Sequence, residues 1–175
     1  MRKIIVLAAT VFMLTVPLLA TAGETSPVQL SLWNPVQIIN QNKSIHGVRL
    51  NLLYGVNKDV KGVDFGLANF TTGDMHGVQW GLLSKTGGEF KGIQLNWLAN
   101  ITGGEMTGLS VGIYNSVGSG TGLMSGVVNV SQSFTGLQFG LVNHTQHLNG
   151  LQIGLINIVQ QKDSLPILPI VNWSF

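Results

Sequence analysis

The sequence predicts an all-β chain, in which about ten strands form an up-and-down antiparallel meander that closes into a small barrel. A motif that opens with glycine, most regular in Thr135–Asn143 (TGLQFGLVN), occurs eight times between Gly47 and Asn157. Within each copy apolar and polar residues alternate, as they do along a half-buried strand. One further alternating segment lies on each side of the repeats, over Val28–Asn40 and Leu165–Phe175. Pro35 interrupts the first of these segments.

The repeats are regular in length as well as in pattern. Their opening glycines lie 15, 15, 15, 16, 14, 14 and 14 residues apart, which is typical of a repeat architecture. Counted from each glycine as position 1, positions 2, 4 and 6 hold 24 residues, of which 23 are apolar and one is Ser125. Positions 3 and 5 hold mainly Gln, Gly and Asn. Each predicted strand therefore has one apolar face and one polar face. The opening glycines are Gly47, Gly62, Gly77, Gly92, Gly108, Gly122, Gly136 and Gly150.

The amino-terminal segment is predicted to be a secretory signal peptide. Residues 1–22 begin with Arg2 and Lys3, continue through an apolar run and end in the small-x-small cleavage site Ala20–Ala22. Residues 23–175 then form a single all-β repeat domain, with the repeats over 47–157 and a closing strand over 165–175. The sequence contains no cysteine, so neither a lipid anchor nor a disulfide is available.

The charge of the chain excludes nucleic acid as a partner. Without Arg2 and Lys3, seven basic and seven acidic residues remain, so the formal net charge is zero. Nucleic-acid binding depends on a basic surface that neutralises phosphates, and no Lys/Arg cluster is present. Charged residues make up 9% of the sequence, against about 25% in ordinary soluble domains. Such a chain either has much of its surface in contact with something other than water, such as lipid, or buries its apolar residues unusually well.

Two architectures fit strands with one apolar and one polar face. In the barrel, the apolar face meets lipid and the Gln/Gly/Asn face lines a narrow lumen, and closure leaves no backbone group unpaired in hydrocarbon. In the alternative, a β-solenoid, eight coils of 14–16 residues stack with their apolar residues inside. The recurrent asparagines would then form a ladder, and Arg49 and Asp64, both at position 3, would form an ion pair. Positions 2 to 6 span about 17 Å, which is short for the about 25 Å apolar band of membrane barrels.

Two motifs resemble known families. Trp173-Ser174-Phe175 is similar to the carboxy-terminal signature of bacterial outer-membrane barrels, which is an aromatic residue, any residue and a terminal Phe. The repeat G-[VLI]-Q-[FWLI]-G-[LI]-x-N, over Gly47–Asn157, resembles the Gly-Leu-Gln-x-Gly repeats of a bacterial exported surface-repeat family of unassigned function. These resemblances imply export to the outer membrane or cell surface of a Gram-negative-type bacterium, with the lipid bilayer as a partner. They transfer no catalytic residue.

One motif matches an enzyme pattern. Gly108-Leu109-Ser110-Val111-Gly112 fits the G-x-S-x-G pattern of serine hydrolases, whose serine lies exposed on a strand-to-helix turn. Here both glycines are repeat positions, and Ser110 stands where the repeat usually has Gln. We therefore predict a non-enzymatic structural protein with no catalytic site. An adhesive or self-assembling surface solenoid is the alternative, and an envelope esterase that uses Ser110 is a lesser one.

The sequence predicts no metal or cofactor site. His144 and His147 lie three residues apart in a turn, but no carboxylate or cysteine nearby completes a metal site. Each acidic turn holds a single acid, short of the six to eight oxygen ligands that Ca²⁺ needs, so these acids are expected to be solvated. The four tryptophans are expected either to anchor at a membrane interface or to fill the core. The other residues weighed are His46, His76, Asp59, Asp74, Glu89, Glu105, Trp33, Trp80, Trp97 and Trp173.

Overall fold

The computed structural model describes residues 24–175, so the predicted signal peptide, residues 1–22, lies outside the described residues. Eight strands form one sheet in the order β2-β1-β3-β4-β5-β6-β7-β8. Their bounds are β1 Thr25–Trp33, β2 Val36–Gln37, β3 Ser44–Asn57, β4 Val60–Thr71, β5 Met75–Thr86, β6 Phe90–Val111, β7 Tyr114–Val159 and β8 Ile167–Ser174.

The sheet is wound into a β-solenoid of about seven turns, with mostly parallel strands. Each repeat stacks on the next in register, so that Gly62 lies beside Gly47 and Gly77 beside Gly62. The prediction of an antiparallel meander closed into a barrel is therefore wrong, and the alternative solenoid is the observed architecture. Each repeat forms a whole coil. At its corner two consecutive residues face outward, as Leu155 and Ile156 do, which interrupts the strand alternation. The chain then turns back and begins the next coil beside the last.

The two faces of the strands are oriented opposite to the expectation for a solenoid. Position 3 faces inward, where Gln79, Gln94, Gln138 and Gln152 are fully buried, whereas the apolar positions 2, 4 and 6 face outward. The expectation of an apolar interior is wrong at these positions, because position 3 places mainly amide side chains inside and the glycines at position 5 leave no room for a side chain. A Cβ added at the inward-facing Gly140 would lie 2.6 Å from the carbonyl oxygen of Gly126 and 2.7 Å from Nδ2 of Asn129.

The interior nevertheless contains one apolar column. It is formed by the residue two places before most opening glycines, and its members are buried. Side-chain sizes compensate between neighbouring coils, since the ring of Phe134 occupies the space above Gly120, where a Cβ would lie 2.8 Å from it. This column is the conventional hydrophobic core of the fold. Its members include Ile45, Val60, Met75, Phe90, Met106, Phe134 and Leu148.

Two polar contacts expected of a solenoid are confirmed. Asn115 donates to Asn129 (2.9 Å), and Asn129 donates in turn to Asn143 (2.8 Å), within a ladder that runs along the axis. Arg49 donates to both carboxylate oxygens of Asp64, from Nε at 2.7 Å and from Nη2 at 2.6 Å. Both side chains of this ion pair are fully buried. Stacking of identical positions therefore governs the interior.

The two ends of the described sheet are antiparallel and irregular. β2 returns along β1 after the Asn34–Pro35 break, which confirms the predicted interruption at Pro35. β8 runs antiparallel along the last coil, with Gly150 opposite Ser174, so the segment predicted as a closing strand is a strand at the edge of the sheet and does not close it. Within β8, Pro169 lacks a ladder donor and Ile170 has a positive φ of 69°. Such features limit the addition of further strands to an edge.

The opening glycines form a column that no other residue can replace without strain. Their φ values lie between 125° and 150°, a region that residues with a Cβ rarely adopt. A Cβ added at Gly136 would also overlap the carbonyl oxygen of Gly122 in the preceding coil. The regular glycine of the sequence motif is thus explained by both backbone conformation and close stacking.

We expect Gly136→Ala to lower the free energy of unfolding by at least about 2 kcal/mol, because it adds both an unfavourable φ and an overlap with backbone. Thr135→Ala, at the exposed neighbouring position, is the matched control and should change stability by less than about 0.5 kcal/mol. Urea unfolding followed by circular dichroism measures both. Equal midpoints for the two variants would contradict the stacked glycine column.

Candidate interaction surface

The outward side chains at positions 2, 4 and 6 of the eight repeats form one surface, which we call the apolar face. In the second repeat, Val63, Phe65 and Leu67 are 47%, 44% and 47% exposed. The most exposed tryptophan is Trp97, at 71%. Because coils stack in parallel register, these side chains have apolar neighbours above and below them, except beside Ser125. The face is thus continuous along the solenoid.

The apolar face extends onto the strands at both ends. Leu30 of β1 pairs with Leu50, and Trp173 of β8 lies opposite Leu151. With strands about 4.8 Å apart, the rows extend about 45 Å along the axis, and positions 2 to 6 span about 17 Å. The product, roughly 750 Å², exceeds the roughly 300–600 Å² of the largest apolar patch on a typical monomer. A patch of this size indicates a binding surface.

At its amino-terminal end the apolar face becomes a groove of about 1130 Å³. Pro35 and Val36, in the hairpin formed by β1 and β2, line one side of it, and Trp80 and Trp97 line another. Phe65 packs edge-on against Trp80, with ring centroids 4.5 Å apart. The groove belongs to the apolar face and gives it a concave end.

The four tryptophans lie on the outside of the solenoid. Trp33, Trp80, Trp97 and Trp173 are between 41% and 71% exposed. The alternative in which they fill the core is therefore wrong. Large aromatic side chains are the residues that most often dominate binding energy when an interface covers them.

The structure places Ser110 inside the solenoid, where it is fully buried. Its hydroxyl donates to Oδ1 of Asn115 at 2.8 Å, so it takes over the polar role of the missing Gln. A hydrolase serine needs an exposed hydroxyl on a turn between a strand and a helix. The geometry at Ser110 does not provide one.

The histidines are not brought into a metal-binding arrangement. Within residues 24–175, no group of three or more His, Cys, Asp or Glu side chains is placed to hold a metal ion. His144 is half-buried and His147 is exposed, and the backbone carbonyl of His147 accepts the Thr145 hydroxyl at 3.2 Å.

Some acidic turn residues have a structural role that the sequence analysis missed. Asp59 accepts the amide of Asp74 at 2.9 Å, and Asp74 accepts the amide of Glu89 at 2.8 Å. Asp59 also accepts the Ser44 hydroxyl at 2.9 Å. The expectation that these acids are simply solvated is wrong for Asp59 and Asp74, which join one turn to the next. The signal that could have found them is their spacing of one coil length.

Ionisation of Asp59 is coupled to these contacts. Partial burial opposes the charged form, but the hydrogen bonds from Asp74 and Ser44, with Lys58 and Lys61 nearby, outweigh it and hold the pKa of Asp59 below its usual value. A lowered pKa means that the carboxylate stabilises the fold above the unfolded-state pKa. This stabilisation is lost as the pH falls through the lower folded-state pKa.

We expect Asp59→Asn to lower the free energy of unfolding by about 1 kcal/mol at pH 7, because a charged acceptor is lost from a partly solvated site. The difference from the unsubstituted chain should shrink as the pH is lowered below about 4 and vanish once Asp59 is protonated. Urea unfolding at a series of pH values measures it. Asp163→Asn, at an exposed carboxylate, is the control, and a pH-independent difference at Asp59 would refute the coupling.

Comparison with protein-family models, with curated proteins and with solved structures gives no match. Across residues 24–175, no helix has the length and apolar character needed to cross a membrane. The apolar face is therefore the feature from which a function can be argued.

Proposed function

We propose that this chain is an exported, non-enzymatic β-solenoid that acts at the cell surface as a structural protein, in adhesion or self-assembly through its apolar face. The observation that carries the proposal is the exposure of large apolar side chains at positions 2, 4 and 6 in each of the first four repeats and at position 6 in every repeat. An apolar surface of this extent is costly in water and favours association.

The energy available from the apolar face is sufficient for specific binding. Full burial of a Leu or Phe side chain contributes about 1.5–3 kcal/mol, so a half-exposed one still contributes about 1 kcal/mol when covered. Eighteen such side chains lie on the face. Their sum exceeds the about 4–15 kcal/mol lost in translational and rotational freedom on association.

The interior of the solenoid supports a structural rather than a catalytic role. The Asn side chains of successive coils are buried and bonded mainly to one another and to the backbone, and among the buried Gln side chains Gln152 donates to Gln138 (2.8 Å) and to the carbonyl of Ile158 (3.2 Å). A hydrogen-bonded interior of this kind holds the outer side chains in a fixed array. Ser110 belongs to that interior, which favours a scaffold over an esterase.

Export is proposed from the predicted signal peptide and the surface-repeat resemblance. The experiment is to produce the full chain in a Gram-negative-type host and to measure how much of it sediments with washed cells or as assemblies. Phe139→Asp places a charge on the apolar face at a side chain that is 54% exposed.

We expect Phe139→Asp to move most of the exported protein into the supernatant, since a charge on the apolar face opposes its burial. Gln132→Asp adds the same charge at an exposed residue outside the apolar face, and it should leave sedimentation unchanged. The proposal fails if the unsubstituted protein stays in the cytoplasm, or if both variants sediment as the unsubstituted protein does.

A further inference from the structure

The area of the apolar face matches what a stable dimer needs. The face covers roughly 750 Å² when the spacing of strands and residues is used, and a standard protein interface buries about 800 Å² on each partner. A second copy of the chain offers an apolar surface of the same length and width. It would cover the whole face, including the strands β1 and β8 at the ends.

The outer face of the sheet also lacks the packed layer that normally covers a parallel sheet. Parallel strands are normally apolar on both faces and covered on both. In this solenoid the inner face of each strand is covered by the opposite side of the coil, and among the described residues the outer face is bordered only by the β1–β2 hairpin that lines the groove at its amino-terminal end. Two such faces can pack about 10 Å apart, as in a β-sandwich.

Charge favours a protein partner over an anionic lipid surface. Positions 2, 4 and 6 hold no charged residue, and residues 24–175 hold seven basic and seven acidic side chains. Attraction to anionic lipids requires an excess of Lys and Arg beside the apolar surface, each contributing about 1 kcal/mol. That excess is absent from the described chain.

Side-chain size along the apolar face changes in the middle of the solenoid. At position 2, the first four repeats have Val, Val, Val and Ile, and the last four all have Leu. At position 4 the order of size is reversed, with Leu, Phe, Trp and Leu in the first four and Val, Ser, Phe and Ile in the last four. Counted inward from the two ends, Val in the first half thus corresponds to Leu in the second at position 2, and Trp80 corresponds to Ser125 at position 4.

We propose that a second copy of this chain covers the apolar face, with the two solenoid axes antiparallel, so that Trp80 of one copy lies opposite Ser125 of the other. The proposal rests on the proposed function, because it names the partner of the same face. A twofold axis along the strand direction, between the fourth and fifth repeats, places repeats 1, 2, 3 and 4 opposite repeats 8, 7, 6 and 5. In such an interface each contact occurs twice.

This arrangement sets a larger against a smaller side chain in five of the eight facing pairs at positions 2 and 4. At position 2 it sets Val48 against Leu151 and Val78 against Leu123, and at position 4 it sets Trp80 against Ser125, the one polar residue of the face. Close packing requires large and small side chains to face one another. The antiparallel dimer meets that requirement in most of position 2 and, at position 4, at Trp80 with Ser125 and at Leu95 with Val111, whereas Phe65 faces Phe139.

The dimer with parallel axes does not meet it. A twofold axis along the solenoid would place every position 4 opposite its own copy, with Trp80 on Trp80 and Ser125 on Ser125. The first pair is overpacked and the second leaves a cavity, and each fault costs roughly 1–3 kcal/mol. The antiparallel dimer is therefore the packing that the sequence of the face favours.

The test uses cysteine cross-linking, for which the chain offers a clean background because it contains no cysteine. Trp80→Cys and Ser125→Cys are prepared separately from exported protein, and a short bis-maleimide is added to each variant alone and to their equimolar mixture. Sedimentation in detergent-free buffer gives the mass of each. Leu148→Cys, at a buried position, controls for reaction of unfolded chains.

We expect a mass of two chains, with cross-linked dimer in the mixture and almost none with either variant alone. Cross-linking of Trp80→Cys alone would overturn the antiparallel arrangement, and a monomeric mass would overturn the dimer. If the monomer instead binds phosphatidylcholine vesicles and Phe139→Asp abolishes this binding, the inference fails while the proposed function stands. If the monomer binds no vesicle and Phe139→Asp changes no association, both fail.

Discussion

The hydrogen bonds between amide side chains inside the coils are the constraint on which the rest of the structure depends. Asn143 illustrates it, since its amide donates both to Asn157 in the next coil (2.8 Å) and to the backbone carbonyl of Ile153 (3.0 Å). A buried amide without partners costs several kcal/mol, so stacking must keep identical positions in register. Once the amides are inside, strand alternation places Leu, Phe and Trp outside.

Because the interior alone stabilises the coils, the solenoid is a rigid support for its outer side chains. The buried apolar column and the amide ladder stabilise the coils, so the outer side chains are not needed for the core of a single chain. They remain available for association, on a support that loses little conformational freedom when a partner binds. The narrow interior therefore leads directly to a large apolar exterior, which is the basis of both the proposed function and the proposed dimer.

Part of this structure could be predicted from sequence, and part could not. The coil length, the break at Pro35, the last strand and the contact of Arg49 with Asp64 in a solenoid follow from spacing alone. The direction of the strands and the side that faces inward do not, because a pattern with period two is the same in a barrel strand and in either face of a solenoid. The decisive signal was position 5, where glycines such as Gly140 leave no room for an apolar interior. The turn contacts of Asp59 depend on how neighbouring coils stack, so the sequence of one repeat does not predict them.

The buried pair Arg49–Asp64 allows the most direct test of this account, because it forms only if identical positions stack in parallel and position 3 faces inward. The measurement is the coupling free energy from a double-mutant cycle with Arg49→Gln, Asp64→Gln and the double variant, which continues the column of Gln79 and Gln94. Each single substitution leaves a buried charge unpaired and should cost about 3–5 kcal/mol, with the double variant recovering at least about 2 kcal/mol of it. A coupling near zero, as for two exposed and separate charges, would contradict both the register and the polar interior.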